Sequence, residues 1–591
     1  MKKLLFFAIS LILYSNSAFR QSAKLDAQEV KALKEIWGKL KLTRKKEWNF
    51  EKDPCSGEGN WRLSVGCNCS FETNTTCHVT HISITSQYVA AILPWEFAKL
   101  QFLQSLDLDY NYLRGTIPSN WATMRLTTLS LMGNRLSGLF PTALARMTTL
   151  QDLNIEGNQF KGSIPEEIAK MKNLERLVLS SNDFSGQLPD ALSKLTNLTD
   201  LRISDNNFTG KIPRFISKWT QIRKLHIQGC SFEGAIPSSI SVLTQLNDLR
   251  ISDLKGGAST FPPLQKMTHL KILVLRNCLI YGPIPYYVGY LRSLQTLDLS
   301  FNNLTGDIPY SFSMLKKVEY IYLTENNLTG LMPEWFLSST KVIDVSYNHF
   351  TWDAYGPKRC EEGAINVVES YSSSTKKQND IHPCLRKDFP CTKLDSQKIR
   401  SLHINCGGEE VNINNFIKYD ADTERRGAST YYNDGNWAFS STGNFLDDDH
   451  DSYILFNTSN LHSIPTLDTD LYTTARTSAI SLTYYGLCLA NGDYTVRLHF
   501  AEIVFTQDNP SGKLGKRVFD VYVQGELKLK DFDIVEAAGG IGKAIIKSYI
   551  VNVKNNTLKI RLYWAGKGTT GIPYRGCYGP IISAISVNQS K

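Results

Sequence analysis

Leucines recur as Leu-x-Leu pairs along the first half of the chain, and a polar residue follows each pair at a fixed distance. That residue is asparagine at five successive positions, 23 or 24 residues apart: Asn111, Asn134, Asn158, Asn182 and Asn206. In a short strand the two leucines point to the interior and the residue between them points outward. One such unit cannot bury its leucines alone, so the pattern predicts the stacked coils of a solenoid.

The repeat frame extends from residue 79 to residue 350, which predicts about twelve coils. The asparagine side chain can bond backbone groups of the adjacent coil, so these positions should form an internal ladder. Cys230 and Cys278 stand at two ladder positions, roughly 10 Å apart at the spacing of strands, which is too far for a disulfide. We interpret them as buried free thiols, with a redox pair as the alternative. The ladder positions after Asn206 are Cys230, Leu254, Cys278, Asn302, Asn326 and Asn348.

A Gly-x-Ile-Pro segment follows most ladder residues, as in Gly115-x-Ile117-Pro118. This segment resembles the hallmark of the plant-specific leucine-rich repeat. The resemblance implies a right-handed α/β leucine-rich-repeat solenoid, which we place at residues 79–352. A solenoid offers a long repetitive surface for recognition rather than a catalytic pocket.

Residues 24–78 are expected to cover the N-terminal end of the leucine core. Apolar residues at helical spacing, such as Leu33 and Ile36, predict an amphipathic helix within residues 24–46. With its tryptophans and the Asp53-Pro54-Cys55 segment, this region resembles the N-terminal cap of plant receptor repeats. Cys67-x-Cys69 with Cys77 and His78 also suggests zinc, but disulfides are favoured in an oxidising compartment. We therefore predict no metal site.

Ten cysteines lie outside the ladder, and sequence alone cannot choose their pairing. Three of them fall within residues 353–398, which we expect to form a C-terminal cap and linker. The polar stretch from Glu369 to Asp380 is interpreted as the linker. The disulfide candidates are Cys55, Cys67, Cys69, Cys77, Cys360, Cys384, Cys391, Cys406, Cys488 and Cys577.

From residue 399 to residue 588 the side chains alternate with a period of two. The clearest stretches are Tyr494–Phe500, Val518–Val523 and Leu558–Tyr563, separated by turn sequences. This pattern predicts an all-β sandwich.

Several segments of this second region resemble a malectin domain. They include Ile404-Asn-Cys-Gly-Gly408, Tyr472-Thr-Thr-Ala-Arg476 and Leu498-His-Phe-Ala-Glu-Ile503. Trp564-Ala-Gly-Lys-Gly-Thr-Thr-Gly571 and Tyr578-Gly-Pro-Ile-Ile-Ser-Ala584 resemble the plant version of the domain found in receptor kinases. The glycines Gly566-x-Gly568-x-x-Gly571 also match a nucleotide-loop pattern, but Ile572-Pro573 follows where a helix should open.

The resemblance to malectin implies a carbohydrate site built from aromatic rings and an acid, because rings present flat apolar faces to sugars. The pattern is incomplete in this chain. Thr477 and Val504 stand at two of the ring positions, and the acid expected near Gly571 is absent. The remaining candidates for sugar contact are Tyr431, Tyr432, Trp437 and Phe505, with packing in the core as the alternative.

The N-terminal sequence predicts export from the cell. Residues 1–23 have the lysines, apolar stretch and small-residue region of a secretory signal peptide. We expect a secreted, extracellular protein, or a plasma-membrane protein if the gene product continues past Lys591. Asn-x-Ser/Thr sequons agree with export, and the glycosylation candidates are Asn68, Asn74, Asn197, Asn207, Asn303, Asn327, Asn457, Asn555 and Asn588.

The outward residue of each predicted strand forms a column, one residue per coil. Arg202, His226 and Arg250 are consecutive in this column, and Arg276 is offset by two residues on the next coil. Stacked guanidinium groups suit an acidic ligand because each can bond two oxygens. The alternative is local pairing with Asp205 and Asp253.

The order of cap, repeats, cysteine-rich joint and malectin resembles the ectodomain of plant leucine-rich-repeat malectin receptor-like serine/threonine kinases. The chain carries neither the membrane helix nor the kinase motifs of that family. We expect a non-catalytic recognition module without a cofactor, which binds a peptide, a cell-wall glycan or another receptor ectodomain. The alternatives are a carbohydrate-binding protein and a truncated membrane receptor kinase. The net charge of +9 is mild, and no nucleic-acid partner is indicated.

Overall fold

The computed structural model describes most of the chain. The described residues are 23–42, 50, 54–56, 62–71, 75–352, 360–362, 365–372, 381–391, 399–414, 416–425, 427–446, 453–456, 469–505 and 514–590. The predicted signal peptide, apart from Ala23, lies outside these ranges, as do the sequon residues Asn74 and Asn457.

Short strands, most of them two to five residues long, build the repeat region. In chain order they are β1 (Lys24–Leu25), β2 (Leu63–Phe71), β3 (Thr76–Ile84), β4 (Ser105–Asp107), β5 (Arg114–Gly115), β6 (Thr128–Ser130), β7 (Arg135–Leu139), β8 (Asp152–Asn154), β9 (Gln159–Gly162), β10 (Arg176–Val178), β11 (Asp183–Gly186), β12 (Asp200–Arg202), β13 (Asn207–Phe208), β14 (Lys224–Ile227), β15 (Asp248–Ser252), β16 (Ser259–Thr260), β17 (Ile272–Arg276), β18 (Ile280–Pro283), β19 (Thr296–Asp298), β20 (Asn303–Gly306), β21 (Tyr320–Tyr322), β22 (Asn327–Leu328), β23 (Val342–Asp344), β24 (Glu361–Glu362) and β25 (Ile365–Asn366).

One sheet of 16 strands runs along the whole solenoid. Its parallel strands β3, β4, β6, β8, β10, β12, β14, β15, β17, β19, β21 and β23 confirm the predicted number of coils. Arg202, His226 and Arg250 stand opposite one another in register, so the predicted outward column exists. Two smaller parallel sheets follow the ladder residues; they contain β5, β7, β9, β11 and β13 in one and β16, β18, β20 and β22 in the other.

Short helical turns begin directly after the prolines of the Gly-x-Ile-Pro segments. Proline suits the start of a helix because its φ is fixed and its missing N–H would have no partner there. The α-helices are α1 (Ala27–Leu40), α2 (Thr142–Arg146), α3 (Glu334–Leu337) and α4 (Ile534–Ala537). The 3₁₀ turns are Pro54–Ser56, Trp95–Lys99, Ser119–Thr123, Glu166–Lys170, Asp190–Lys194, Arg214–Lys218, Ser238–Val242, Tyr286–Tyr290, Tyr310–Met314, Pro383–Leu385 and Thr469–Tyr472.

The ladder asparagines satisfy backbone groups in the interior, as predicted. Asn158 donates from Nδ2 to the carbonyl of Leu131 at 2.8 Å and to that of Ile155 at 3.1 Å. Its Oδ1 accepts from the backbone N–H of Leu136 at 3.0 Å. Cys230 and Cys278 are buried and unpaired, which confirms the interpretation as free thiols.

The N-terminal cap is held by a helix and two disulfides. Helix α1 is capped by Asp26, whose carboxylate accepts from the N–H groups of Gln28 and Glu29. The buried carboxylate of Glu29 accepts from Val79 N at 2.7 Å, which ties the helix to the first coil. Because Cys55 pairs with Cys67 and Cys69 with Cys77, these sulfurs are not available to zinc, and the zinc alternative was wrong.

The C-terminal cap differs from the expected linker. Disulfides join Cys360 to Cys384 and Cys391 to Cys488, and the second one links the cap to the β region. Glu369, interpreted as the start of a solvated linker, is 7% exposed and accepts hydrogen bonds from Tyr485 and Lys559. The interpretation was wrong at this residue, because the local polar sequence does not show that the glutamate has partners elsewhere in the chain.

The second region is an all-β unit with two six-stranded sheets and one three-stranded sheet. Its strands are β26 (Ser401–Cys406), β27 (Val411–Ile413), β28 (Ile417–Asp422), β29 (Tyr431–Asp434), β30 (Trp437–Thr442), β31 (Ile454–Phe456), β32 (Thr474–Thr477), β33 (Ser481–Leu487), β34 (Gly492–Ala501), β35 (Phe519–Val523), β36 (Glu526–Phe532), β37 (Ala544–Val553), β38 (Thr557–Tyr563), β39 (Ile581–Ile582) and β40 (Ala584–Gln589).

The two large sheets enclose a separate apolar core, with buried side chains from both, such as Leu482 and Val496. The strand orders are β27-β28-β26-β40-β34-β37 and β29-β30-β33-β38-β35-β36. Successive side chains of β38 point to opposite faces of the second sheet, so the sheet contacts both the apolar core and the solenoid. Leu558 and Ile560 belong to this core, whereas Lys559 and Arg561 contact the solenoid.

Candidate ligand-binding site

The residue just before each ladder position adopts a left-handed backbone conformation. Eleven successive coils share this feature, with φ between +50° and +65°. We call these residues the docking row, because almost all of them face the β unit: Tyr110, Gly133, Gly157, Ser181, Asp205, Gly229, Asp253, Asn277, Phe301, Glu325 and Tyr347.

The C-terminal part of the docking row contacts strands β33 and β38. Arg561 donates to Glu325 at 2.8 Å, and the Tyr347 and Tyr485 hydroxyls are 2.7 Å apart. The ring of Phe301 lies 4.8 Å from that of Tyr563. These contacts combine buried rings with charge-assisted hydrogen bonds, so they position one sheet of the β unit on the solenoid.

A loop from Trp564 to Pro580 continues along the N-terminal part of the docking row. Tyr110 donates from its hydroxyl to the carbonyl of Gly571 at 3.1 Å. A Cβ atom at Gly229 would lie 2.2 Å from the carbonyl oxygen of Gly566, and one at Gly157 would lie 2.2 Å from Ile572. Glycine therefore allows both the left-handed backbone and the close approach of this loop.

Polar contacts beyond the docking row complete the attachment. Thr442 donates to the buried carboxylate of Asp344 at 2.9 Å, and Tyr322 donates to Asn444 at 2.9 Å. Asn366 donates to Ser440 at 2.8 Å. The β unit consequently covers part of the outward column of the main sheet.

The predicted basic column is engaged by neighbouring carboxylates. Arg202 donates two hydrogen bonds of 2.9 Å to Asp200, and Arg250 donates two of 2.8 Å to Asp248. His226 Nε2 lies 3.1 Å from Asp248. The alternative of local pairing is thus observed, but with Asp200 and Asp248 rather than the expected Asp205 and Asp253. The acid two residues earlier points to the same side of the strand, which explains the choice.

The pKa values of His226 and Asp248 are both lowered, but for different reasons. Burial lowers the pKa of His226, although the carboxylate of Asp248 opposes this effect. The pKa of Asp248 lies well below its usual range, because attraction to His226 and Arg250 outweighs the effect of burial. Asp248 is therefore ionised near pH 7, and both arginines of the column are already hydrogen-bonded to carboxylate groups.

Arg276 lies deeper in the interface than sequence suggested. Its guanidinium stacks on the Trp564 ring, 4.9 Å from the centroid, and lies 3.5 Å from Asp298. Only 2% of the residue is exposed. In the structure, Arg276 therefore stabilises the contact between the solenoid and the β unit.

A cavity of about 220 Å³ remains between the column and the Trp564–Pro580 loop. Burial raises the pKa of Glu156 and of Asp205 at its edge. The cavity offers both cationic donors and carboxyl groups to a small polar ligand or to the charged end of a longer one. Its ionisable lining includes Glu156, Arg176, Arg202, His226, Arg250 and Arg575.

The aromatic candidates for sugar contact lie mostly in the interior. Trp437 and Phe505 are each 1% exposed, and Tyr431 is also buried. Tyr432 is half-buried and packs near Trp437 and Phe439. These rings do not present a joint flat face to solvent, so a sugar at this position would require rearrangement.

Two of the disulfide candidates are not paired. Cys406 and Cys577 are buried free thiols, which corrects the prediction for them. Cys406 lies beside Asp422 and Tyr484, and Cys577 lies beside Tyr574. Among the sequon asparagines that the structure describes, Asn588 is half-buried and the exposed ones are Asn68, Asn197, Asn207, Asn303, Asn327 and Asn555.

The docking row is the main feature that sequence reasoning missed. A signal was present, because glycine, asparagine and aspartate, which tolerate a left-handed backbone best, occupy six of its positions. The partner could not be inferred, because the contacting residues lie hundreds of positions away along the chain. The Gly566–Gly571 segment, whose glycines match a nucleotide-loop pattern, contributes to this contact.

Comparison with protein families agrees with both regions. Residues 400–585 match the malectin domain family. Residues 68–255 match a leucine-rich repeat region, and residues 268–328 and 292–350 match leucine-rich repeats. The chain therefore contains leucine-rich repeats and a malectin domain.

This leucine-rich-repeat and malectin chain has relatives in Arabidopsis thaliana. It is 53% identical to a probable LRR receptor-like serine/threonine-protein kinase over 98% of its own length and 59% of the relative. It is 51% identical to a second probable kinase of this class over 99% of its own length and 57% of the relative. The chain thus spans a little over half the length of these relatives.

Two solved structures are similar to about half of the chain. The receptor kinase HAESA, in complex with the peptide hormone IDA and the co-receptor SERK1, is 25% identical, with a TM-score of 0.47 over 55% of this chain and 58% of that one. A TDR receptor structure is 28% identical, with a TM-score of 0.44 over 48% of this chain and 50% of that one. Within the described residues of our chain, no helix has the length and apolar character needed to cross a bilayer.

Proposed function

We propose that the chain is the extracellular recognition part of a plant receptor-like kinase and that it has no catalytic activity of its own. The supporting observation is its similarity, over nearly its whole length, to proteins named as receptor-like kinases. Signalling would then depend on a kinase elsewhere in the full gene product or in a partner. Its location would be outside the cell, and at the plasma membrane if the product continues past Lys591.

A peptide or the ectodomain of another receptor is the proposed ligand. The solenoid provides a long surface, and specificity in such a scaffold resides in variable outward residues. We place the contact for an acidic group, such as a free peptide carboxylate, at the cavity beside Arg202, His226 and Arg250. The several cationic groups that line the cavity support this position, although two of the arginines already bond carboxylates.

Binding of synthetic peptides to the full chain tests this proposal. Peptides with a free C-terminal carboxylate are compared with amidated versions by surface plasmon resonance at low and high salt. We expect the peptides with a free carboxylate to bind more tightly than the amidated ones, and high salt to weaken their binding. The double variant Arg202→Ala with Arg250→Ala should remove the difference in affinity between acid and amide. Arg214→Ala, at an exposed position, is the matched control.

The folding of each variant is checked by its thermal unfolding midpoint. Equal affinity of acid and amide, or no effect of the double substitution in a folded variant, contradicts the placement at the cavity. Binding of other peptides or of a receptor ectodomain would still support recognition. Absence of binding to all peptides and receptor ectodomains tested contradicts the recognition proposal itself.

A further inference from the structure

Three sequon asparagines occupy one equivalent position in the repeat. Asn207, Asn303 and Asn327 each follow a ladder asparagine, and their side chains are exposed. They begin strands β13, β20 and β22 of the two smaller parallel sheets, two residues after the docking row. Asn555 lies on the β unit, in the turn between β37 and β38, and is also exposed.

The seam between solenoid and β unit contains three clefts, and each cleft has one or two of these asparagines in its lining. The first cleft measures about 520 Å³. Asn207 and Asp183 line it from the solenoid, and Lys516, Asp533 and Lys567 line it from the β unit. The cleft therefore lies within reach of any group attached to Asn207.

The second and third clefts lie further along the seam. The second measures about 330 Å³, with Asn303 and Asn327 on one side and Lys559 on the other. The third measures about 610 Å³ and contains Asn555 and Glu325. These volumes fall in the range of roughly 300–1,000 Å³ that is usual for ligand sites.

The lining of the clefts suits a carbohydrate. Carboxylates, ammonium groups and amides provide acceptors and donors for hydroxyl and acetamido groups. Tyr371 in the second cleft and Tyr522 in the third add aromatic rings, whose apolar faces suit a sugar ring. An oligosaccharide attached at the rim would have a high effective concentration, so even weak contacts would be populated.

We propose that N-linked glycans on Asn207, Asn303, Asn327 and Asn555 pack into the three clefts and hold the malectin region on the solenoid. Attachment joins the asparagine Nδ2 to the anomeric carbon of an oligosaccharide. The amide nitrogen loses a proton, and the diphosphate of an activated oligosaccharide donor is the leaving group. The groups that fill the clefts are thus parts of the same glycoprotein. The glycans then have a structural role in addition to covering the surface.

The contrasting explanation is that the repeat sequence produces these sequons and that the glycans extend into solvent. Asn68 and Asn197 provide an internal comparison, because both are exposed and neither lines a seam cleft. Asn197 bonds the carbonyl of Lys172 on a neighbouring coil. A glycan at Asn68 or Asn197 should therefore behave as an unconstrained one.

The first experiment uses the full chain secreted from a eukaryotic host. Glycopeptide mass spectrometry measures occupancy, and an endoglycosidase then trims the native protein over time. We expect glycans at the four seam sites to be occupied and to be trimmed several-fold more slowly than those at Asn68 and Asn197. Unoccupied seam sites, or equal trimming rates at all six positions, overturn the proposal.

The second experiment removes the glycans by substitution. Asn207, Asn303, Asn327 and Asn555 are each replaced by Gln in one variant, and Asn68→Gln with Asn197→Gln is the matched control. We expect several-fold faster hydrogen–deuterium exchange in the β38 peptide of the first variant only. Unchanged exchange in this variant contradicts the holding role. If the seam variant is not secreted, enzymatically trimmed native protein gives the same comparison.

Discussion

Tyr563 of the malectin region donates a hydrogen bond from its hydroxyl to the Oδ1 of Asp253, at 3.0 Å, across 310 residues of sequence. The tyrosine ends β38, and the aspartate belongs to the docking row. Burial strongly raises the pKa of the tyrosine, so it remains a donor at every physiological pH. This pair joins the two regions near the middle of the solenoid.

Replacing Tyr563→Phe should loosen this joint without destroying either region. Asp253 keeps its hydrogen bonds from Asn277 and Ser252. We therefore expect the free energy of unfolding to fall by about 1.5–3 kcal/mol, as for the loss of a hydrogen bond to a charged group. Chemical denaturation measures it, and Tyr310→Phe, at a residue 74% exposed, should change stability little. Equal effects of the two substitutions would contradict the joint.

Gly229→Ala should displace the Trp564–Pro580 loop. Alanine at φ +65° costs about 1–2 kcal/mol by itself. The added methyl group would also meet the Gly566 carbonyl, and such overpacking typically adds 1–3 kcal/mol. Gly282→Ala is the matched control, because Gly282 also has positive φ but nothing near its Cβ position. Hydrogen exchange in residues 564–571 should rise only for Gly229→Ala; a rise in both variants would argue against the loop contact.

Asp109 should make stability depend on pH. Burial, and then the charge of Asp107, raises its pKa to about 7, and Glu156 adds to the shift. The folded state therefore holds a proton that the unfolded state releases, so this stabilisation is complete below about pH 4 and is lost as pH rises through about 7. We expect the unfolding midpoint to fall between about pH 5 and about pH 8.

Asp109→Asn should reduce this fall, since the amide does not titrate. Asp107, Glu156 and Asp205 also have raised pKa values, so some dependence of the same sign should remain. Exposed Asp190→Asn is the control and should follow the parent chain. Differential scanning calorimetry across this pH range decides the matter, and an identical fall in all three proteins would show that Asp109 is not the source.

The two C-terminal disulfides should differ in their contribution. Cys391 and Cys488 close a loop of 97 residues, and Cys360 and Cys384 close one of 24. The loop-entropy relation gives about 4.7 and about 3.4 kcal/mol respectively. Replacing each pair by alanines should thus lower the denaturation free energy more for the longer loop. The reverse order would indicate that the contact between cap and malectin region contributes little to folding.

Much of the solenoid was predictable, because the same weak local sequence pattern recurs in every coil. The alternation at Leu106 and Leu108 sets the register of a strand, and Asn111 marks the turn after it. The fold of the malectin region followed from period-two segments and family motifs. Docking was not predictable, since a residue such as Phe301 carries no sign that its partner is Tyr563. For the same reason Glu369 was mistaken for linker, because its partners Tyr485 and Lys559 lie more than 100 residues away. The partners of Arg202 and Arg250 are local and were misassigned, because the acid two residues earlier on the same side of each strand was overlooked.

Photo-crosslinking across the docking row tests the central claim, which is that the malectin region lies on the solenoid. p-Benzoylphenylalanine in place of Phe301, whose ring lies 4.8 Å from that of Tyr563, is irradiated in the full chain, and crosslinked peptides are sequenced by mass spectrometry. The same probe in place of the exposed Tyr310 is the control. We predict crosslinks from position 301 to the peptide containing Tyr563 and none to it from position 310. Equal crosslinking from both positions, or none from position 301 to residues 399–588, would contradict the docked arrangement.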